Sequence, residues 1–233
     1  MAARLTKFRL ERNSMTHQQT YINLGYYLSH EGSSCDHNNI TTPEFFFTQD
    51  EQQPLVLDPI CLDKISNVGA ATDLLGQKLD AGFEFPYVFT TFELALEFVE
   101  RFCSKRYQWQ IIGIALPKQF VASSLAAVEA LYTQPKPALY AMLQAQQAPH
   151  PAMQPLGFDI LSFDIFCWES YLYRNVLPQK PILLDLNQHQ LIEDYSEAVR
   201  LTRRIINREI SWDGHPISLG NWVPCLIQSL VVK

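Results

Sequence analysis

Hydrophobic and polar residues alternate along this chain in two rhythms, one typical of strands and the other typical of helices. β-Branched and aromatic residues concentrate at 20–29 and at 109–116, which predicts two strands. Over 157–166, apolar residues occupy both odd and even positions, and this pattern predicts a strand that is covered on both faces. Shorter strands are predicted at 45–48 and at 183–186.

The clearest helical spacing begins after residue 90. Thr90 and Glu93 match the capping-box pattern, and apolar residues then recur every three or four positions through Phe102. This pattern predicts an amphipathic helix directly after an extended entry. Three further helices are predicted near 70–79, over 123–132 and over 138–147.

A last amphipathic helix is predicted after Ile192, and its opening resembles the opening after Thr91. Both stretches show a polar cap, an aromatic residue, an early glutamate and an alanine, which predicts a weak twofold repeat of strand and helix. The patterns together predict an α/β fold, with α+β as the alternative, in which several amphipathic helices pack on a mixed central sheet. We expect one domain over 1–233, with 1–19 as a candidate flexible arm.

The composition is that of a globular protein. With 233 residues, 47% of them hydrophobic and 18% charged, the chain can bury a substantial core and is not a disordered or coiled-coil sequence. It has no run of about 18 apolar residues and no signal-peptide pattern, so no membrane partner is predicted. Its five cysteines include no CxxC pair, which argues against a disulfide framework or a zinc ribbon. We therefore expect a cytoplasmic protein.

Negative charge is concentrated in one quarter of the chain. The net charge of −6 argues against nucleic acid as a partner, and 44–100 holds eleven acids against two bases. Such a segment attracts a basic protein, although solubility is the better explanation for any single acid. Trp168 with Glu169 adds an aromatic and acidic pair suited to a small pocket or to an interface, while core packing is the simpler explanation for Trp168. The candidate partner-binding residues are Asp50, Glu51, Asp58, Asp63, Asp73, Asp80, Glu84, Trp168 and Glu169.

Catalytic motifs are weak in this sequence. The glycines are too widely spaced for a phosphate loop, and Asp159 and Asp164, five residues apart on one strand, would point to opposite faces. His30, Cys35 and His37 leave one enzymatic alternative open, a hydrolase or transferase in which a histidine activates the thiol. We predict no catalytic residue, cofactor or metal site.

Residues in the last third of the chain resemble a known family. The segments that carry the resemblance are Gly157-Phe158-Asp159-Ile160, the aromatic stretch 168–172, Leu186-Asn187, Leu191-Ile192 and Tyr195-Ser196-Glu197-Ala198. They resemble the C-terminal half of bacterial immunity proteins encoded beside polymorphic or type VI-secreted toxins. The resemblance implies a protein that binds one cognate, basic toxin domain and occludes its active site without catalysis of its own.

Overall fold

The computed structural model describes fourteen stretches of the chain. They are 20–30, 47–48, 56–57, 65–67, 69–71, 73–74, 83–84, 88–131, 138–163, 168–172, 186–189, 191–212, 215–216 and 221–232.

A seven-stranded sheet forms the centre of the described structure. Its strands run in the order β4-β5-β1-β6-β11-β7-β8, and each described pair of neighbours is antiparallel. The bounds are β1 Tyr21–His30, β4 Phe83–Glu84, β5 Val88–Phe89, β6 Trp109–Pro117, β7 Gln154–Phe163, β8 Trp168–Ser170 and β11 Asn221–Val231. Two short hairpins lie outside it, β2 Phe47–Thr48 with β3 Val56–Leu57, and β9 Ser211–Trp212 with β10 His215–Pro216.

Within the described stretches, four helices with defined bounds accompany the sheet. They are α1 Phe92–Phe102, α2 Val121–Leu131, α3 Ala138–Ala145 and α4 Tyr195–Ile206, and a 3₁₀ turn, Lys118–Phe120, leads from β6 into α2. Residues 69–71 and 73–74 are also helical. Helix α1 buries one face in a cluster with Leu28 and Ile111 of the sheet, while the buried residues of α4 belong to the larger cluster around Phe158.

The strand register shows which helices share a face of the sheet. Paired residues on neighbouring strands point to the same side, and side chains two positions apart on one strand do so as well. Leu28 pairs with Ile111, which lies under α1, and Ala115 four positions along β6 therefore points to the same side. Ala115 pairs with Leu226, and Leu226 pairs with Phe158, whose ring contacts Tyr195 at the start of α4. Helices α1 and α4 therefore lie on one side of the sheet.

Helix α2 lies on the other side. Asn221 of β11 is an odd number of positions from Leu226 and so points away from α4. Its Nδ2 donates to Oγ of Ser124 in α2, at 3.3 Å. Helix α3 packs against α2 and against β1. The sheet is therefore covered by helices on both sides, which explains why apolar residues occur at both parities of β7.

The predicted fold class is confirmed. Strands were expected at 20–29, 109–116 and 157–166, and they occur as β1, β6 and β7. The sheet was expected to be mixed, but its described pairings are all antiparallel, so the α+β alternative describes it more closely. The single domain over 1–233 stays a prediction, and the expected arm at 1–19 lies outside the described residues.

One local expectation was wrong, and one strand was not predicted. The cap of α1 is Thr91 and not Thr90, because the Thr91 side chain accepts the Leu94 N–H at 3.2 Å. Strand β11, central in the sheet, had no counterpart among the predicted elements. The helices at 91–102 and after Ile192 do share their cap geometry, since Asp194 accepts the Glu197 N–H at 3.0 Å. A repeat extending beyond these caps stays a prediction.

Helix α4 ends on a residue with an unfavourable backbone. Arg208 has φ 59°, in the left-handed region where a side chain is strained, and its N–H donates to the Ile205 carbonyl to close the helix. We expect Arg208→Gly to raise the free energy of unfolding by about 1 kcal/mol, because glycine removes that strain. Arg203→Gly, inside the same helix, should lower it by about 1 kcal/mol. Urea denaturation of both variants checks this, and a loss of stability in Arg208→Gly would contradict the assigned helix end.

Candidate functional site

Most of the acids proposed to touch a partner lie outside the described residues. These are Asp50, Glu51, Asp58, Asp63 and Asp80. Asp73 is described and is exposed to solvent, and Glu84 is the last residue of β4 at the edge of the sheet. The docking role of the whole segment therefore stays a prediction, with Asp73 as its described, exposed member.

Helix α1 places three further acids of the same segment on one line. Glu93, Glu97 and Glu100 are spaced i, i+4 and i+7, which puts them on one helix face. The residues that α1 buries occupy the opposite face, so this line of carboxylates faces solvent. Glu93 and Glu100 are exposed, and Glu97 forms an ion pair with Arg101. We call Glu93, Glu97 and Glu100 the acidic stripe.

The helix that carries the acidic stripe is well packed against the core on its opposite face. The opposite face of α1 is buried against β1 and β6, with Phe98 fully inaccessible to solvent. The ring of Phe92 is stacked on His150, with ring centroids 3.9 Å apart, and meets Tyr26 edge-on. The backbone N–H of His150 donates to the Tyr26 hydroxyl at 3.2 Å. The helix is thus held at its first residue by both the sheet and the segment that follows α3.

The other end of α1 is held by the stretch that precedes β4. The N–H and the hydroxyl of Ser66 both donate to the Phe102 carbonyl, at 2.6 and 2.9 Å. Ile65 forms a bridge with Cys103, and Ala71 and Leu74 are buried in the same cluster as α1. Exposed Asp73 therefore belongs to a segment packed beside the helix that carries the acidic stripe.

Sequence reasoning counted these three glutamates in the acidic segment but did not select them. Their i, i+4, i+7 spacing was visible, and so was the apolar face opposite them. The residues selected from the sequence were instead those in the stretches richest in acids. The density of acids along the chain does not show which way their side chains point. The helical spacing of the three glutamates, together with the apolar residues on the opposite face of the helix, was the signal that would have identified the acidic stripe.

Trp168 and Glu169 lie in β8 at the far edge of the sheet. Trp168 pairs with Phe163 and Glu169 pairs with Ser162, both of β7. This edge is separated from β1, over which α1 lies, by three intervening strands. The structure therefore does not bring this pair together with the acidic stripe, and their role in a partner interface stays a prediction.

A buried carboxyl group lies on β7, next to the edge strand β8. Asp159 of β7 is fully inaccessible and accepts backbone N–H bonds from Ile160 at 2.7 Å and Leu172 at 3.5 Å. Burial is the main cause that raises the pKa values of Tyr27 and Cys225, and the nearby Asp159 carboxylate adds to it. The Asp159 carboxylate therefore satisfies backbone groups, and Asp164, the other member of the pair rejected from the sequence, lies outside the described residues.

The described cysteines are poor nucleophiles. Burial raises the pKa of the Cys103 thiol to about 12, and Cys225, with no exposed surface, is shifted in the same direction. His30 is the last residue of β1, while Cys35 and His37 lie outside the described residues. The enzymatic alternative that uses them is therefore untested.

In the part of the chain that the structure describes, no group of three or more histidine, cysteine, aspartate or glutamate side chains is placed to hold a metal ion. Within the same stretches, no helix has the length and apolar character needed to cross a membrane.

The residues that carry the family resemblance pack into one structural unit. Phe158 and Ile192 exchange two backbone hydrogen bonds, at 2.7 and 2.9 Å, and Leu186 also bridges to Ile192. The side chain of Asn187 donates to the Leu156 carbonyl and accepts the Leu191 N–H. This arrangement fixes the turn before α4 on β7, so these described residues have an architectural role.

Basic residues gather on α4, on the same side of the sheet as α1. Between Ala198 and Arg208 the chain carries four arginines and no acid. Arg203 and Arg208 are exposed and form no ion pair with a described residue, whereas Arg200 makes two hydrogen bonds to Glu197. Arg200, Arg203 and Arg208 therefore belong to a face that is exposed to solvent.

Comparison with known proteins gives no assignment. The chain matches no protein-family model, no curated protein and no solved structure.

Proposed function

We propose that the protein is an immunity protein, which binds a basic toxin domain and blocks its active site. The observation that carries this proposal is the acidic stripe, Glu93, Glu97 and Glu100, on the solvent face of a helix whose other face is anchored in the core. The segment around it has a large excess of acids over bases. The sequence resemblance in the last third of the chain points to the same class.

The negative charge of the acidic segment and the rigidity of α1 contribute to different steps of binding, the first to encounter and the second to the bound complex. The negative field of the segment accelerates encounter with a basic surface, because opposite charges steer diffusion before contact. After contact, a helix that is already ordered loses little conformational entropy on binding. A toxin that attacks nucleic acid presents a cationic cleft to phosphates, and carboxylates at a fixed spacing compete for that cleft.

The proposal predicts that a toxin domain is encoded beside this chain, and that domain provides the test. Co-expression should protect cells from that domain, and the two proteins should co-purify. Reversing the stripe with Glu93→Lys, Glu97→Lys and Glu100→Lys should slow association by about tenfold or more at low salt, since steered association rates exceed unsteered ones by one to three orders of magnitude. Stopped-flow kinetics at two salt concentrations measure this change.

Glu129→Lys is the matched control, because Glu129 is an exposed glutamate of α2, on the opposite side of the sheet. It should leave the association rate within about twofold of the unmodified protein. Equal rates for the stripe variant and the unmodified protein would remove α1 from the interface. Failure to protect cells or to bind would overturn the proposed function itself.

A further inference from the structure

On the side of the sheet that carries α1 and α4, exposed glutamates lie on α1 and exposed arginines lie on α4, whose start is also flanked by Glu193 and Asp194. Over β1 and β6, α1 presents the acidic stripe. Over β7 and β11, α4 presents Arg200 and Arg203 from the face opposite its buried residues, with Arg208 exposed just beyond its end. The arginines Arg200, Arg203, Arg204 and Arg208 are called the basic stripe. The two stripes therefore share one face of the protein, an acidic helix beside a basic helix.

Such a face is complementary to itself. A twofold axis lying in the plane of the face and running between the two helices would place α1 of one copy over α4 of the other. The same rotation places α4 of the first copy over α1 of the second, so both contacts join opposite charges. An axis across the helices would instead set α1 against α1, which like charges oppose. Electrostatics thus selects one arrangement of two copies.

An apolar side chain lies next to the basic stripe. Ile206, in the last turn of α4, leaves 57% of its surface exposed, the most of any large hydrophobic residue in the described stretches. Burying it between two copies adds a hydrophobic contribution to the charge pairing. Arg200 and Arg204 of the basic stripe pair with Glu197 and Glu209 of the same chain, whereas Arg203 and Arg208 form no ion pair with a described residue.

We propose that the protein associates with a second copy of itself, with the acidic stripe of each copy on the basic stripe of the other. The contact is weak and sensitive to salt, because it consists mainly of exposed charges that ions screen. It covers the acidic stripe, so self-association and the partner binding proposed above exclude each other. The dimer does not depend on the proposed function, and it is measurable on the protein alone.

Analytical ultracentrifugation of the full chain tests the proposal. The dimer dissociation constant should rise at least about tenfold between roughly 20 mM and 300 mM sodium chloride, as the screening length falls from about 20 Å to about 6 Å. Two double variants test the two stripes separately, because each reverses charges in only one of them. Arg203→Glu with Arg208→Glu leaves Arg200 and Arg204 paired with Glu197 and Glu209 and adds two carboxylates, so the surface of α4 and its end becomes acidic like α1. Glu93→Lys with Glu100→Lys makes α1 basic like α4.

Each double variant alone should be monomeric at concentrations where the unmodified protein dimerises. A one-to-one mixture of the two should associate again, because every contact then joins opposite charges. The circular dichroism spectra should match that of the unmodified protein, since all four positions are exposed. Glu129→Lys, on the opposite side, should leave the dissociation constant within about twofold.

A monomeric protein at low salt would overturn the proposal, and so would a mixture of the two variants that stays monomeric. Dimerisation that survives both pairs of substitutions would also overturn it, by placing the contact elsewhere. The variant Arg203→Glu with Arg208→Glu keeps the acidic stripe, so it should still bind the toxin domain. Loss of the dimer with retained toxin binding therefore separates this inference from the proposed function.

Discussion

Gly157→Ala is expected to lower the free energy of unfolding by about 3 kcal/mol. Gly157 has φ +148°, a conformation in which an L side chain is strained by about 1–2 kcal/mol. An added Cβ would lie 2.7 Å from Cβ of Leu191 and 3.0 Å from the Ile192 carbonyl oxygen. Overpacking of this kind costs about 1–3 kcal/mol, and here the neighbour includes backbone that is itself hydrogen-bonded to Phe158.

Gly69→Ala is the matched control for that substitution. Gly69 is helical, and nothing lies within 4 Å of the Cβ that alanine would add. Alanine there should raise the free energy of unfolding by up to about 1 kcal/mol, because it is a better helix former than glycine. Urea denaturation of the three proteins measures both effects. A Gly157→Ala protein with an unchanged midpoint would mean that the turn before α4 does not pack on β7.

The helices and three long strands were predictable because their side-chain periodicity reflects burial. Strand β11 was not, since Pro224 argues against a central strand. In the structure, the pairing of β11 with β6 begins only at Leu226, and Pro224 pairs with Ile160 of β7 alone. The proline thus lies where β11 has one described neighbour, and its missing N–H is tolerated as on an edge strand. The position of Pro224 beyond the paired part of β6 is set by how two strands distant in sequence align. The local sequence around Pro224 does not show this alignment.

The sequence predicted the negative charge of the candidate surface but not where that surface lies on the fold. Local sequence showed that acids dominate 44–100, because charge can be counted without a fold. It did not show that α1 and α4 lie on the same side of the sheet. That fact follows from the register through Ala115, Leu226 and Phe158, three residues on three different strands. The pairing of an acidic helix with a basic helix on one face therefore required the tertiary structure.

Asp159→Ala is expected to destabilise the protein by about 3 kcal/mol, whereas Asp159→Asn should cost less than half as much. Alanine leaves the N–H groups of Ile160 and Leu172 without this acceptor, in a site with no solvent access, and each unsatisfied buried donor costs about 1–3 kcal/mol. Asparagine keeps an oxygen at the same position and removes the charge, so the two variants separate hydrogen bonding from electrostatics.

The two unfolding midpoints decide between these causes. Equal losses in Asp159→Asn and Asp159→Ala would show that the charge of the carboxylate, and not its acceptor oxygen, holds β7 to the residues after β8.

Neither substitution should create a reactive thiol. Burial is the larger cause of the raised pKa of Cys225, and it persists when the carboxylate is removed. Alkylation of Cys225 in the folded Asp159→Asn protein at neutral pH would contradict this assignment, because it would mean that the strand pair around position 159 opens to solvent.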